Sequence, residues 1–413
     1  MAAQWSRGPS AVFGTGNVSY EVQSRRDGRW RIEGAYTDQE AALSAARSQL
    51  AASGVEEAKV MRFRTVAGLS LETVILHKTA PQTPRKGLTL GGSAEGAPLC
   101  HTPDDLRGFE SRVVIGRLLR PYLDAQRITP TELLHSWPLF RRFEEQGGLL
   151  GAAIHAAARH HADIHGVSHS ARARELRQLV EAVTGAARDA LAERRRLPRF
   201  DAADLPGTSR AIDGAVGEAV GPGGHDALFL TLLCQHLEVG GPLAGKLDLL
   251  LEMMHEDAEP RHLALLDGVV ADIMGSADTV KELLGAQPSL HAGLCVLIDH
   301  LFDRDPDPLH APMAGSLRQV CRLARQGRAP QSRAVLLERL RQSIAGEQPL
   351  DRRDVKAEAV LTRDLADRLT AADGAVLGGA AMGKALERRL LRHRQSVLRA
   401  QGMYDIADRL SGR

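Results

Sequence analysis

The sequence predicts an α+β N-terminal module of order β-β-α-β-β, followed by a large all-α region of helical hairpins packed as a bundle or solenoid. Three observations carry this. Apolar and polar residues alternate over short runs between residues 18 and 77, a Pro- and Gly-rich break follows, and beyond about residue 104 the apolar spacing is helical. With 413 residues, 43% hydrophobic and 25% charged, the chain can bury cores and is long enough for roughly two to three domains.

Residues 1–17 carry Gly, Ser and Pro without periodicity and are expected to form a flexible tail. The small α/β domain is expected over 18–78. Val18-Ser-Tyr20-Glu-Val22 and Arg29-Trp30-Arg31-Ile32-Glu33 alternate as strands, with Asp27-Gly28 as the turn between them. Thr37-Asp-Gln-Glu40 reads as a capping box opening an Ala-rich helix that Gly54 closes. Lys59–Arg64 and Leu69–Leu76 supply two more strands. Residues 79–98, with Pro81, Pro84 and Pro98, form a linker.

The rest reads as two helical domains, 99–200 and 222–413, divided by a Pro- and Gly-containing stretch from Arg194 to Gly224. Thr129-Pro130-Thr131-Glu132 combines an N-cap, Pro at the first helical position and an acceptor three residues on, so a helix starts there. Further helices are expected over roughly 147–165, 170–196, 225–238, 243–257, 260–273, 276–285, 289–303, 312–326, 331–345, 353–371 and 375–400.

Composition excludes several function classes. Lys and Arg total 53 against 51 Asp and Glu, so the chain is no bulk polycation. Aromatics are 4%, too few for extended base-stacking platforms. Cys100, Cys234, Cys295 and Cys321 lie far apart without a C-x-x-C pair, which argues against a disulfide scaffold or a Cys-based zinc module. No apolar run reaches membrane-spanning length and no secretory h-region opens the chain, so a cytoplasmic location without a membrane partner is expected.

Charge is nonetheless uneven. Residues 240–310 hold 13 acidic residues against four basic ones, and residues 384–399 hold six basic residues against Glu387 alone. Lys384, Arg388, Arg389, Arg392, Arg394 and Arg399 are therefore the candidate partner-binding residues, aimed at an acidic protein surface, which a second copy of the chain could supply. Nucleic acid is the alternative partner for the same patch, with the strand arginines Arg25, Arg26, Arg29, Arg31, Arg62 and Arg64 as further phosphate contacts and Tyr20 and Trp30 as stacking groups.

Four motifs bear on chemistry. Gly240-Gly-Pro-Leu-Ala-Gly245-Lys246-Leu247 and Gly378-Gly-Ala-Ala-Met-Gly383-Lys384-Ala385 resemble phosphate-binding loops. Both lack the hydroxyl that binds magnesium and both follow helices, so they read better as related helical hairpins. Glu132–His135, Glu252–His255 and Glu259–His262 are E-x-x-H pairs, the spacing that sets two ligands on one helix face in di-metal bundles. His155, His160, His161, His165 and His169 cluster, with Gly166 and Ser168 expected to end the helix between them. His225-Asp226 is the adjacent pair that helical metal phosphohydrolases use. No G-x-S-x-G elbow occurs. Cys234, Cys295 and Cys321 sit in apolar helical runs, leaving Cys100 as the thiol expected to be exposed. The expected function is a non-catalytic cytoplasmic adaptor or regulator with no cofactor, no metal and no catalytic residue. The metal-binding helical enzyme is the more distant alternative.

Overall fold

The computed structural model describes residues 18–26, 29–51, 55, 57–66, 69–79, 89–193, 197–216, 222–305, 307 and 313–410. The expected tail, the Asp27-Gly28 turn and residues 80–88 of the expected linker lie outside them. The chain divides into two compact units, 1–87 and 88–413.

The first unit contains β1 (Val18–Arg26), β2 (Arg29–Tyr36), α1 (Gln39–Ala51), β3 (Glu57–Val66) and β4 (Leu69–Thr79). The strands form one antiparallel sheet in the order β2-β1-β3-β4. Val22 stands opposite Val60 and Ser24 opposite Ala58, so these side chains share one face, against Ala42 and Ala46 of α1. Small residues on both sides let the helix lie close to the sheet. Trp30, Ile32 and Val74 are exposed, and Lys59 Nζ sits 4.3 Å above the Trp30 ring. Asp38, rather than Thr37, caps α1: its carboxylate accepts the Ala41 N–H at 2.8 Å. The carboxylate stands immediately before the helix, where it reaches the third helical N–H.

The second unit is helical among its described residues. It opens with α2 (Pro103–Arg107), α3 (Phe109–Leu118), α4 (Arg120–Gln126), α5 (Pro130–His135), α6 (Trp137–Glu144), α7 (Leu149–His165) and α8 (His169–Ala192). There follow α9 (Leu205–Val216), α10 (Pro222–Leu237), α11 (Leu243–Met253), α12 (Pro260–Met274), α13 (Ala277–Leu284) and α14 (Leu290–Leu301). It ends with α15 (Gly315–Arg325), α16 (Pro330–Ala345), α17 (Glu358–Leu369), α18 (Gly379–Ala400) and α19 (Tyr404–Arg409). No helix among the described residues is long and apolar enough to cross a membrane.

The capping box at α5 forms as the residues dictate: Thr129 Oγ1 accepts the Glu132 N–H and Glu132 accepts the Thr129 N–H. Gly166 ends α7 at positive φ and Ser168 caps α8. α9 falls inside the stretch read as a break between domains. There Asp204 accepts the Gly207 N–H at 2.8 Å and Pro206 sits in the first turn, so the same residues that suggest a loop start a helix.

One large apolar core runs from Leu205 to Leu386, and a second gathers Val114, Leu118, Tyr122, Leu123, Phe140 and Phe143. Buried polar bonds tie the two. Asp272 on α12 accepts the Thr131 N–H and hydroxyl at 2.9 and 2.6 Å, while Arg112 of α3 bonds its other oxygen at 3.2 Å. Asp267, five residues earlier on α12, accepts the Gln331 and Ser332 N–H groups and so caps α16. A carboxylate inside a helix thus closes the N-terminus of another, where the free amides and the helix dipole favour negative charge.

Candidate functional site

The six cations of the C-terminal segment lie within the 22-residue helix α18, which begins after Gly378, a residue at φ 80° that follows the isolated antiparallel bridge between Thr370 and Val376. The helix sorts them by face. Lys384, Arg388 and Arg394 are exposed. Arg389 follows Ala385 and Leu386 by four and three residues and therefore shares their inward face, where it is buried. Its guanidinium pairs with Glu358 at 2.5 Å and donates to the carbonyls of Ser343, Ile344, Gly346 and Gln348. Arg392 donates to the Ala345 and Gly346 carbonyls, and Arg399 pairs with Asp408 at 2.9 Å.

Arg389 and Arg392 thus bond the carbonyls at the end of α16, which have no helical partner of their own. They belong to the fold rather than to a free basic patch. Beside the remaining cations stand apolar side chains that the charge count does not reveal: Leu391, Val397, Met403, Tyr404 and Ile406 are all exposed, Tyr404 at 61%.

The first of the loop-like motifs is built around its lysine. Lys246 is buried, bonds Glu132 Oε1 at 2.6 Å and donates to the Arg127 carbonyl at 2.9 Å. Gly240 passes so close that a Cβ there would lie 3.0 Å from the Lys246 backbone. Gly378 and Gly379 of the second copy both take positive φ, while Gly383 has open space around its Cβ position. The two motifs do different work.

The E-x-x-H pairs do not converge. Glu132 is committed to Thr129 and Lys246, and His135 Nδ1 bonds the Ala227 carbonyl at 3.1 Å. Glu252 and His255 are both exposed, with α11 ending between them. His262 is buried, with Nε2 2.7 Å from Ser209 Oγ and Nδ1 3.7 Å from Glu259. His225 lies beside the same segment, its Nδ1 met by Arg261 at 2.9 Å and its Nε2 by the Ser209 carbonyl and Asp213. Nδ1 has a single lone pair and Arg261 takes it, while Nε2 faces the Ser209 carbonyl, so this imidazole offers no lone pair to a metal.

The histidine cluster is shared out as well. His161 bonds the Ala97 carbonyl and accepts from Arg172 Nε, His160 accepts the Gly96 N–H, and His155 stacks on His169. Cys100, expected at the surface, is buried against Ser111 Oγ at 3.2 Å, and burial raises its thiol pKa. Leu106, Leu134 and Val183 close over it.

The structure assembles one constellation that sequence reasoning missed. His291 and Cys295 are one turn apart on α14, and Asp364 of α17 faces them. His291 Nε2 is 2.9 Å from Asp364 Oδ2 and 3.5 Å from Cys295 Sγ, and Cys295 Sγ is 3.8 Å from Asp364 Oδ2. Arg368 Nε bonds the same Asp364 oxygen at 2.9 Å, and its NH1 reaches buried Asp299 at 3.0 Å. Burial pushes the Cys295 thiol up to about 12, so without a further positive charge it stays protonated. The available signal was the H-x-x-x-C spacing, and nothing local singles out Asp364. No family model, curated protein or solved structure matches this chain.

Proposed function

We propose that the protein is a non-catalytic cytoplasmic adaptor or regulator whose helical unit docks an acidic protein surface, and that a second copy of the chain is the occupant. One observation carries this reading: Lys384, Arg388 and Arg394 are exposed on the same terminal helices as Leu391, Val397, Tyr404 and Ile406. Exposed apolar side chains rimmed by charge suit a protein interface. The complementary surface is present on the same chain. Asp248, Glu252, Glu256, Asp257 and Glu259 are all exposed within twelve consecutive residues. Charge of this kind sets orientation and encounter rate, and buried apolar area supplies the affinity.

Sedimentation of the full chain from about 0.1 M to about 1 M salt tests the proposal, because screening over this range shortens the reach of surface charge roughly threefold. A dimer at low salt that weakens with salt is expected. Replacing Lys384, Arg388 and Arg394 together by Glu should leave a monomer with unchanged helicity. A wild-type monomer at every concentration, or a dimer indifferent to the triple charge reversal, would overturn the reading. Salt-sensitive binding of a DNA or RNA oligonucleotide by a monomeric chain would move it to nucleic acid.

A further inference from the structure

We propose that His291, Cys295 and Asp364 form a binding site for one transition-metal dication of the zinc class, with a coordination position left open. The argument starts from spacing. Residues four apart on a helix share a face, so His291 and Cys295 of α14 present an imidazole nitrogen and a sulfur to the same point. Asp364 enters from α17 and supplies an oxygen there.

The three edges can be compared with what a tetrahedral ion requires. Zinc bond lengths of about 2.3 Å to sulfur and about 2.0–2.1 Å to nitrogen and oxygen put tetrahedral ligand atoms about 3.6 Å apart for S···N and S···O, and about 3.4 Å for N···O. The observed edges are 3.5 Å for Cys295 Sγ–His291 Nε2 and 3.8 Å for Cys295 Sγ–Asp364 Oδ2. The N···O edge, 2.9 Å, is that of a direct hydrogen bond and opens by roughly 0.5 Å when both atoms turn to a metal.

Ligand chemistry selects the metal. A thiolate and an imidazole beside one carboxylate favour zinc or cobalt over magnesium or calcium, which take oxygen ligands. Thiolate and carboxylate together neutralise a dication. Arg368 Nε bonds the same Asp364 oxygen, which keeps a second lone pair for a metal, and Arg368 is itself balanced by Asp299, which is buried. Such outer partners orient a ligating carboxylate without occupying all its lone pairs. Loading the site replaces the Cys295 S–H bond by a metal–sulfur bond and sends one proton to solvent. Three protein ligands leave the fourth position for water, the pattern of an open rather than a closed site. Cys295 is fully buried, so the metal, and not the sulfur, would be what a small molecule meets.

The test is a Co²⁺ titration of the full-length chain after chelator treatment, followed by absorbance. One equivalent should bind and give a near-ultraviolet thiolate-to-cobalt charge-transfer band, which added Zn²⁺ bleaches. Cys295→Ser should abolish the band, and Cys321→Ser, at a buried thiol elsewhere, should keep it. Asp364→Asn, at a half-exposed position, should weaken Co²⁺ binding roughly tenfold or more while leaving the unfolding transition in place. A wild-type chain that takes up no Co²⁺ or Zn²⁺, a band that survives Cys295→Ser, or an Asp364→Asn variant with unchanged affinity would each overturn the proposal.

Discussion

Lys246 Nζ lies 2.6 Å from Glu132 Oε1 with both side chains buried, so an ion pair 114 residues apart in sequence joins α11 to α5. Two charges out of water are tolerated because each is otherwise satisfied: Lys246 by the Arg127 carbonyl, Glu132 by the Thr129 N–H and hydroxyl. Removing one partner strands the other. Lys246→Met should therefore lower stability by about 3–5 kcal/mol in denaturant unfolding. The double variant Lys246→Met/Glu132→Gln should recover part of that loss, because no unpaired charge remains.

The cations of α18 should separate into two classes by thermal unfolding. Arg389→Met removes the partner of Glu358 and the donor to four carbonyls, at a cost of about 3–5 kcal/mol. Arg388→Ala and Arg394→Ala, at exposed positions, should stay within about 0.5 kcal/mol of wild type. Equal effects at all three would refute the burial assigned to Arg389.

The glycines of the two similar motifs should respond in opposite directions to alanine. At Gly245 a Cβ would run into the Gly240 carbonyl oxygen, so backbone must move, at roughly 1–3 kcal/mol. At Gly383, inside α18 with nothing within 4 Å, alanine lowers the entropy of the unfolded chain and should stabilise by about 0.5–1 kcal/mol. Unfolding midpoints of the two variants check this.

Acid should weaken the fold through His135. Its Nδ1–H donates to the Ala227 carbonyl, while Nε2 is buried without a hydrogen-bond partner. Burial, reinforced by Arg107 and Arg112, lowers its pKa from 6.5 to about 3. The unfolded chain therefore takes up a proton that the folded chain refuses. The stability due to this group is complete above pH 6.5 and falls by up to about 1.4 kcal/mol per pH unit between about 6.5 and about 3. His135→Gln, which keeps an N–H donor, should flatten the pH dependence of the unfolding free energy by up to one proton over that window. His161, His262 and His300 are shifted the same way by burial and should leave a residual slope.

Much of the fold was legible because its signals are local. Alternation marked the strands, Thr129-Pro130-Thr131-Glu132 marked the start of α5, and Gly166 and Ser168 marked the junction of α7 and α8. α9 was missed because its starting residues, Asp204 and Pro206, are also those of a loop, and only a hydrogen bond from Gly207 distinguishes the two. Cys100 was misjudged because its exposure depends on Leu106, Leu134 and Val183, which come from three other elements.

The candidate site was less legible. A net charge over residues 384–399 cannot say which cations face water, since that depends on where the end of α16 lies against α18. The spacing of Glu132 and His135 suggested ligands, yet Lys246 and the Ala227 carbonyl, both distant in sequence, take those atoms.

By itself the sequence determined the fold class, a β-β-α-β-β module followed by a helical region, and the unequal distribution of charge. These follow from side-chain periodicity, capping and turn chemistry, which act over a few residues. Tertiary packing alone decided that Arg389 is buried, that Lys246 holds Glu132, and that Asp364 meets Cys295 from 69 residues away. The reason is physical: whether a charge is free, paired or a ligand is set by desolvation and by neighbours brought from elsewhere in the chain.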